Sequence, residues 1–244
     1  MRNVIVTGGS RGLGLAIGRT LAAAGYRVIA IARRGTGDLT AAIDAAAGAG
    51  AGAIVFRGAD LADTSGIPRL ARELRKEFGP VYALVNNAGI GTSGVLGVTR
   101  DQDIEALIRM NTLAPILLTK YVVRSMMADR IGRVVNISSV VSMTGYSGLS
   151  VYSATKASLV GFTRSLAREV GQFNVTVNAI APGFADTEMT QELGEGAREQ
   201  IVKRSALRRL IEPQDVASAV EFLLSDGARN VTGTVLTVDA GNTA

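Results

Sequence analysis

The sequence predicts a single α/β domain with a parallel, doubly wound sheet that is covered by helices on both faces. Two observations support this prediction: seven short apolar or β-branched runs recur along the 244 residues, and longer amphipathic stretches separate them. Strands that alternate with helices form parallel sheets through right-handed crossovers. With 47% hydrophobic residues and no segment typical of an interdomain linker, one domain is expected over residues 1–244.

The predicted elements follow one another in regular alternation. Strands are expected at residues 3–7, 27–32, 53–57, 81–86, 132–138, 174–179 and 234–238. Helices, indicated by apolar residues three or four positions apart, are expected at residues 12–24, 67–78, 104–127, 150–171 and 213–224. Residues 35–52 fit either an Ala-rich helix or a flexible tether. Residues 184–205 are charged and weakly periodic, and we interpret them as a substrate flap of one or two helices.

The composition excludes several kinds of catalytic site. The sequence contains no His, no Cys and no Trp, so a Ser-His-Asp or Cys-His hydrolase and a His- or Cys-ligated metal site cannot be built. Proton transfer must therefore come from Asp, Glu, Lys, Tyr or a bound cofactor.

Charge and hydropathy argue against nucleic acid and membranes as partners. The formal net charge is +5, but the basic residues are dispersed and aromatic residues make up only 5%, which favours a solvated surface over a nucleic-acid interface. No stretch approaches the roughly 18 apolar residues of a membrane span, and no signal peptide precedes the first predicted strand. We expect a cytoplasmic protein.

A glycine-rich turn joins the first predicted strand to the first helix. It reads Thr7, Gly8, Gly9, Ser10, Arg11, Gly12, Leu13, Gly14. Glycines at such a turn let the backbone approach a pyrophosphate at the helix N-terminus, although a tight turn also uses glycine for steric reasons alone. The motif lacks the Lys of a nucleoside-triphosphatase loop.

The end of the second predicted strand indicates which dinucleotide is bound. An Asp or Glu there usually binds the ribose 2′-hydroxyl of NAD, but this chain has Ala32, Arg33 and Arg34. Arginine forms charge-assisted hydrogen bonds with a 2′-phosphate, and Arg11 lies near enough in sequence to assist. We therefore expect NADP(H) in preference to NAD(H); the alternative is that both arginines belong to a solvated turn.

Tyr152 and Lys156 lie four residues apart in a predicted helix and so share one face. A nearby ammonium favours phenolate over phenol, so we expect Lys156 to lower the pKa of Tyr152 toward a range suited to proton exchange. Ser139, 13 residues before Tyr152, ends the fifth predicted strand, where its hydroxyl can face a substrate carbonyl.

Taken in order, these motifs resemble the short-chain dehydrogenase/reductase family over nearly the whole chain. The matching residues are Thr7, Gly8, Gly12, Gly14, Asp60, Leu61, Asn86, Asn87, Ala88, Gly89, Asn111, Ser139, Tyr152, Lys156, Pro182, Gly183 and Thr187. The resemblance implies a Rossmann-type sheet with strand order 3-2-1-4-5-6-7, and an enzyme that transfers a hydride between nicotinamide and a carbonyl or secondary alcohol.

The resemblance also assigns roles to the catalytic residues. Tyr152 would donate the proton to the carbonyl oxygen, and Lys156 would lower its pKa and bind the nicotinamide ribose. Ser139 would orient the carbonyl; Ser138 is its competitor for that role, but the family's 13-residue spacing to the tyrosine favours Ser139. Asn111 would hold a water in the proton relay.

The remaining cofactor contacts follow from the same resemblance. Asp60 would bind the adenine ring beside Leu61. Asn87, with Ala88 and Gly89, would lie along the adenosine ribose. The nicotinamide carboxamide would be positioned by Pro182, Gly183 and Thr187. In the glycine turn the cofactor-binding residues would be Gly8, Ser10, Arg11, Gly12, Leu13 and Gly14.

Within the family, the chain is most similar to 3-oxoacyl-[acyl-carrier-protein] reductases, in residues 133–139, 175–184, 187–190 and 231–241. An acyl-carrier-protein thioester is therefore the expected substrate, and Arg130 a docking residue for the acidic carrier. Gln172, Phe173 and Asn174 stand where a second basic residue is expected. Two alternatives remain open: an enzyme acting on a free alcohol or ketone, and a non-catalytic NADP(H)-sensing protein. The resemblance implies a homotetramer.

Overall fold

Seven parallel strands form one sheet in the computed structural model, which describes residues 1–91, 94–185 and 195–244. The strands are β1 (Asn3–Thr7), β2 (Arg27–Ala32), β3 (Ala53–Gly58), β4 (Val81–Asn86), β5 (Gly132–Ile137), β6 (Val175–Pro182) and β7 (Val235–Val238). Their order in the sheet is β3-β2-β1-β4-β5-β6-β7, and neighbouring strands pair in parallel. The predicted fold class and strand order are confirmed.

Eight α-helices cover the sheet in the part of the chain that the structure describes. They are α1 (Gly12–Ala23), α2 (Gly37–Ala49), α3 (Ile67–Phe78), α4 (Asp101–Ile108), α5 (Ala114–Asp129), α6 (Ser150–Val170), α7 (Glu195–Arg204) and α8 (Pro213–Leu224). Helix α2 resolves the ambiguity of residues 35–52 in favour of the Ala-rich helix. The Thr36 hydroxyl oxygen caps it by accepting a 3.2 Å hydrogen bond from the Leu39 N–H, and Gly50 ends it at a positive φ of 69°.

The sheet separates two apolar layers. Val4 and Val6 of β1 face the layer that contains α1, α2 and α8, while Ile5 faces the layer of α3, α5 and α6, because successive strand residues point to opposite faces. All three side chains are fully buried. Burial of each such side chain contributes about 1.5–3 kcal/mol, so both layers hold the carboxyl ends of the strands in fixed relative positions.

The helix predicted over residues 104–127 is interrupted. Helix α4 passes through a π-helical turn, Arg109–Leu113, before α5 begins. Such a turn inserts one extra residue into the helix, which the hydrophobic periodicity of the sequence does not reveal. Single π-helical turns within α-helices occur frequently at functional sites. The combined run Asp101–Asp129 is long and apolar enough to cross a membrane, but its Leu118 and Met126 are fully buried beneath the sheet, as expected of a core helix.

The strand order creates a switch point between β1 and β4. The chain leaves β1 toward β2 and β3 on one side, and β4 begins the half of the sheet on the other side. Ligands of open parallel sheets bind outside the carboxyl ends of the strands at such a point. The turns after β1, β4, β5 and β6 meet at this edge, where the sequence placed the candidate site.

Candidate active site

The turn after β1 is shaped to bring backbone close to a ligand. Gly8 and Gly12 have positive φ angles of 67° and 51°, which non-glycine residues rarely adopt. A Cβ at Gly14 would overlap the Gly8 carbonyl oxygen and lie 2.6 Å from the Asn87 amide nitrogen. The turn therefore requires glycine at these positions, and it fits the pyrophosphate of a dinucleotide at the start of α1.

Thr7 connects this turn to the end of β4. Its buried hydroxyl oxygen accepts hydrogen bonds from the Asn87 N–H at 3.0 Å and the Ala88 N–H at 2.9 Å, and its hydroxyl donates to the Val85 carbonyl at 3.3 Å. The Asn87 side-chain amide donates to the Thr7 carbonyl at 2.9 Å. The sequence motif began at Thr7 but gave this residue no role, and only the pairing of β1 with β4 reveals it.

The residues predicted to bind the adenosine half lie at the neighbouring strand ends. Arg11, Arg33 and Arg34 are exposed beside the glycine turn. Asp60 is also exposed, and its carboxylate accepts a 2.9 Å hydrogen bond from the Ala62 N–H, while Leu61 is buried. Arg33 and Arg34 directly follow β2, at the edge of the sheet where a 2′-phosphate is expected.

Ser139 and Tyr152 meet at the end of β5. Ser138 follows β5 and Ser139 comes next; the Ser139 hydroxyl accepts a 3.4 Å hydrogen bond from the Val141 N–H and interacts with the Tyr152 phenol, which lowers the pKa of that phenol. The Ser138 hydroxyl instead donates a 2.9 Å hydrogen bond to the Lys156 carbonyl and is buried. The tertiary structure thus pairs Ser139, and not Ser138, with the tyrosine.

Lys156 lies beneath Tyr152. Its ammonium donates a 2.9 Å hydrogen bond to the Ile137 carbonyl and lies 5.6 Å from the centroid of the Tyr152 ring. Burial lowers the pKa of Lys156 to about 8. The last residue of β5 and the first two turns of α6 therefore position the lysine and the tyrosine together.

The expected lowering of the Tyr152 pKa is not what the protein alone produces. Burial raises the pKa of Tyr152 to about 12, and the hydrogen bond with Ser139 offsets this only in part. Removing water penalises the phenolate more than a cation several ångströms away stabilises it. Tyr152 is accordingly held as a neutral phenol, the form that donates a proton.

Asn111 lies in the π-helical turn and is 1% exposed. Its side-chain oxygen accepts from the Ile90 N–H at 2.9 Å, and its amide donates to the Ile90 carbonyl at 2.8 Å and to the Thr155 hydroxyl at 3.2 Å. A Cβ at Gly89 would lie 3.2 Å from the Asn111 oxygen and 3.5 Å from the Lys156 nitrogen. Asn111 and Lys156 therefore converge on one backbone position after β4.

The end of β6 forms the remaining side of the crevice. The Gly183 N–H donates to the Val238 carbonyl at 2.8 Å, and a Cβ at Gly183 would lie 2.8 Å from the Asp239 Cβ. Thr187 and residues 186–194 of the predicted flap lie outside the described residues. Of the predicted flap, residues 195–204 form α7, and the Asn242 amide donates to the Ile201 carbonyl at 3.2 Å.

The site therefore combines a tight glycine turn at the start of α1 with a phenol, a hydroxyl and a buried ammonium. The sequence profile of short chain dehydrogenases matches residues 2–198. The chain belongs to the short-chain dehydrogenase/reductase family of oxidoreductases.

Comparison with individual proteins agrees with this assignment. Over 237 residues the chain is 41% identical to the 3-oxoacyl-[acyl-carrier-protein] reductase FabG of Escherichia coli, covering 97% of this chain and 95% of that protein. It is also 41% identical to the Homo sapiens 3-oxoacyl-[acyl-carrier-protein] reductase, with the same coverage. Its structure is similar to that of a blue fluorescent protein from a metagenomic library, solved in complex with NADPH, with 34% identity, a TM-score of 0.91 and coverage of 100% and 98%.

Proposed function

We propose that this protein is an NADP(H)-dependent reductase that converts the 3-oxo group of an acyl-carrier-protein thioester to a hydroxyl group in the cytoplasm. The observation that supports it most is the convergence of Ser139, Tyr152 and Lys156 on the crevice that contains the glycine turn. Two relatives at 41% identity over nearly their full length carry the name of such a reductase.

The protein's own groups account for the proton half of this reaction. A bound nicotinamide supplies the hydride. The Ser139 hydroxyl orients the substrate carbonyl, and the Tyr152 phenol donates its proton to the carbonyl oxygen as negative charge develops there. The Lys156 ammonium stabilises the phenolate that remains and exchanges protons through the polar groups around Asn111.

NADP(H) in preference to NAD(H) is part of the proposal. Arg33 and Arg34 follow β2 where an acidic side chain would otherwise bind the ribose 2′-hydroxyl, and both are exposed. Guanidinium groups there provide charge-assisted hydrogen bonds for a 2′-phosphate. The structural relative solved with NADPH is consistent with this choice.

One feature favours a second candidate, a reductase of free ketones or dehydrogenase of free alcohols. Arg130, the proposed docking residue for an acidic carrier, donates a 3.3 Å hydrogen bond to the Gln172 carbonyl. Gln172, Phe173 and Asn174 are uncharged, so this surface carries one cation where carrier docking is expected to use two.

Steady-state kinetics with NADPH distinguish the candidates. We expect 3-oxobutanoyl thioester on acyl carrier protein to have a kcat/KM at least about tenfold above that of cyclohexanone, since carrier and acyl chain both contribute binding energy. If kcat/KM for cyclohexanone is equal to or higher than that for the thioester, a free ketone is the better substrate assignment. If the protein binds NADPH but reduces no carbonyl compound, it is a cofactor-sensing protein and not an enzyme.

A homotetramer is the proposed assembly. Ile108 and Leu113 on the long helical run are 48% and 39% exposed, an apolar surface of the kind that subunit contacts cover. Light scattering coupled to size-exclusion chromatography at micromolar concentration is expected to give four times the 25.3 kDa chain mass.

A further inference from the structure

Two aromatic rings contact each other from loops that follow the carboxyl ends of β5 and β6. Tyr146 belongs to the loop between β5 and α6, and Phe184 follows Gly183 at the end of β6. Their ring centroids are 5.5 Å apart, and the ring planes are inclined by 52°. Tilted pairs at this separation are favourable contacts, so the two loops hold each other at a defined distance.

The loop that carries Tyr146 is fixed at several points. It begins at Ser138, directly after β5, and ends where α6 begins, two residues before Tyr152. The Tyr146 carbonyl accepts a 3.2 Å hydrogen bond from the Leu149 N–H, and the Gly148 carbonyl accepts a 2.9 Å bond from the Gly94 N–H in the loop after β4. Tyr146 is nevertheless 39% exposed, so the ring is positioned yet retains surface for a ligand.

Three sequence segments near this ring contain no charged residue, although Asp186 follows the last of them directly. The segments 86–99, 137–155 and 175–185, which end three strands and begin α6, contain no Asp, Glu, Lys or Arg. Met143, 51% exposed, adds a further apolar side chain to the loop after β5. A charged substrate group beside these segments would lose hydration without gaining a counter-ion from them, whereas an apolar group gains from burial.

We propose that Tyr146 is a specificity-determining residue that selects substrates with an uncharged, apolar group attached to the reacting carbonyl. Phe184 is a positioning residue that keeps the Tyr146 ring in place. This inference rests on the proposed reductase function, since it names the substrate group that the same crevice accepts.

The test compares a short and a long substrate that share one reacting group. We would measure NADPH oxidation with the N-acetylcysteamine thioesters of 3-oxobutanoate and 3-oxooctanoate, which carry no protein. In Tyr146→Ala we expect KM for the longer thioester to rise about tenfold, KM for the shorter one to change less than about twofold, and kcat to stay within about twofold. Tyr146→Phe keeps the ring and should retain the wild-type ratio.

Controls separate this effect from damage to the loop. Ser147→Ala alters the neighbouring exposed residue and should leave both KM values unchanged. Phe184→Leu removes the ring contact from the other side and should shift the KM ratio in the same direction as Tyr146→Ala. An unchanged ratio in Tyr146→Ala, or an equal change for both thioesters, would overturn the proposal.

The same design separates this proposal from the proposed substrate. If neither thioester is reduced but 2-butanone and 2-octanone are, the acyl-thioester assignment fails, and the KM ratio of the two ketones tests Tyr146 instead. If no carbonyl compound is reduced, the reductase function fails and this inference fails with it.

Discussion

The Ser138 hydroxyl donates a 2.9 Å hydrogen bond to the carbonyl oxygen of Lys156. This bond joins the residue after β5 to the first turns of α6, and both partners are buried. Because the Ser138 hydroxyl makes this structural hydrogen bond, the neighbouring Ser139 hydroxyl is the one that interacts with the Tyr152 phenol. We therefore expect a structural role for Ser138 and a catalytic role for Ser139.

Substitution of each serine by alanine separates these tasks. Ser139→Ala should lower kcat/KM by about 100-fold or more, because the carbonyl loses its orienting hydrogen bond, with little change in thermal stability. Ser138→Ala should retain most activity and lose about 1 kcal/mol of unfolding free energy. Steady-state kinetics and urea unfolding measure both, and the reverse pattern would assign the catalytic role to Ser138.

Tyr152→Phe removes the proposed proton donor and keeps the ring. We expect turnover to fall by about 1,000-fold or more, while the affinity for NADPH, measured by its fluorescence enhancement, stays within about threefold. Tyr121→Phe, a change of the same kind on α5, is the control and should keep wild-type turnover. Substantial activity in Tyr152→Phe would show that another group donates the proton.

Lys156 makes stability depend on pH. Its pKa is about 8 in the folded chain against an ordinary value of 10.5, so between these values the unfolded chain binds more protons. The unfolding free energy contributed by Lys156 must then rise with pH across that window, because the cost of burying an ammonium disappears as it deprotonates.

Lys156→Met removes this titration. The difference in unfolding free energy between the wild type and the variant should increase by about 2 kcal/mol in favour of the wild type from pH 7.5 to pH 9.5. Urea unfolding at both pH values measures this difference. The window ends before the titration of Tyr152, whose pKa of about 12 acts in the opposite direction above pH 10. Parallel curves for the two proteins would show that Lys156 is not desolvated.

Gly14→Ala tests the dinucleotide cradle. The added methyl group would overlap the Gly8 carbonyl oxygen, so we expect NADPH affinity to fall by at least about 30-fold and unfolding free energy to drop by about 1–3 kcal/mol. Gly37→Ala, at a helical position with open space around it, should keep NADPH affinity and leave stability equal or slightly higher. Tight NADPH binding by Gly14→Ala would place the pyrophosphate elsewhere.

Ala32→Asp tests the basis of cofactor choice. A carboxylate at the end of β2 repels a 2′-phosphate and binds a 2′-hydroxyl, so the ratio of kcat/KM for NADPH over NADH should fall by about 100-fold. Arg33→Ala should lower the same ratio by about tenfold through KM for NADPH alone. An unchanged ratio in both variants would mean that Arg33 belongs to a solvated turn.

Local pattern was sufficient for most of the fold. The helices predicted at 67–78 and 213–224 match α3 and α8, because strong apolar periodicity and a proline in the first turn mark both. The strand predicted at 174–179 instead continues to Pro182, since a proline at the last position of β6 lacks only an N–H that this position can spare. The π-helical turn around Asn111 left no periodic signal.

In the candidate site, too, some features could be predicted from the sequence and others only appear in the folded structure. The glycine turn and the Tyr152–Lys156 spacing are local features that a sequence displays directly. The Tyr146–Phe184 contact joins residues 38 positions apart, and the Thr7 hydrogen bonds join residues about 80 positions apart. Such pairs depend on which strands become neighbours, which no short segment specifies.

The sequence by itself determined the class of chemistry, because a chain without His or Cys that places Tyr and Lys on one helical face has few other routes to proton transfer. Only the tertiary structure decided what the Ser138 hydroxyl binds and in which direction the pKa of Tyr152 shifts. Both depend on desolvation and on distances across β5 and α6, and burial is a property of the assembled layers and not of any one segment.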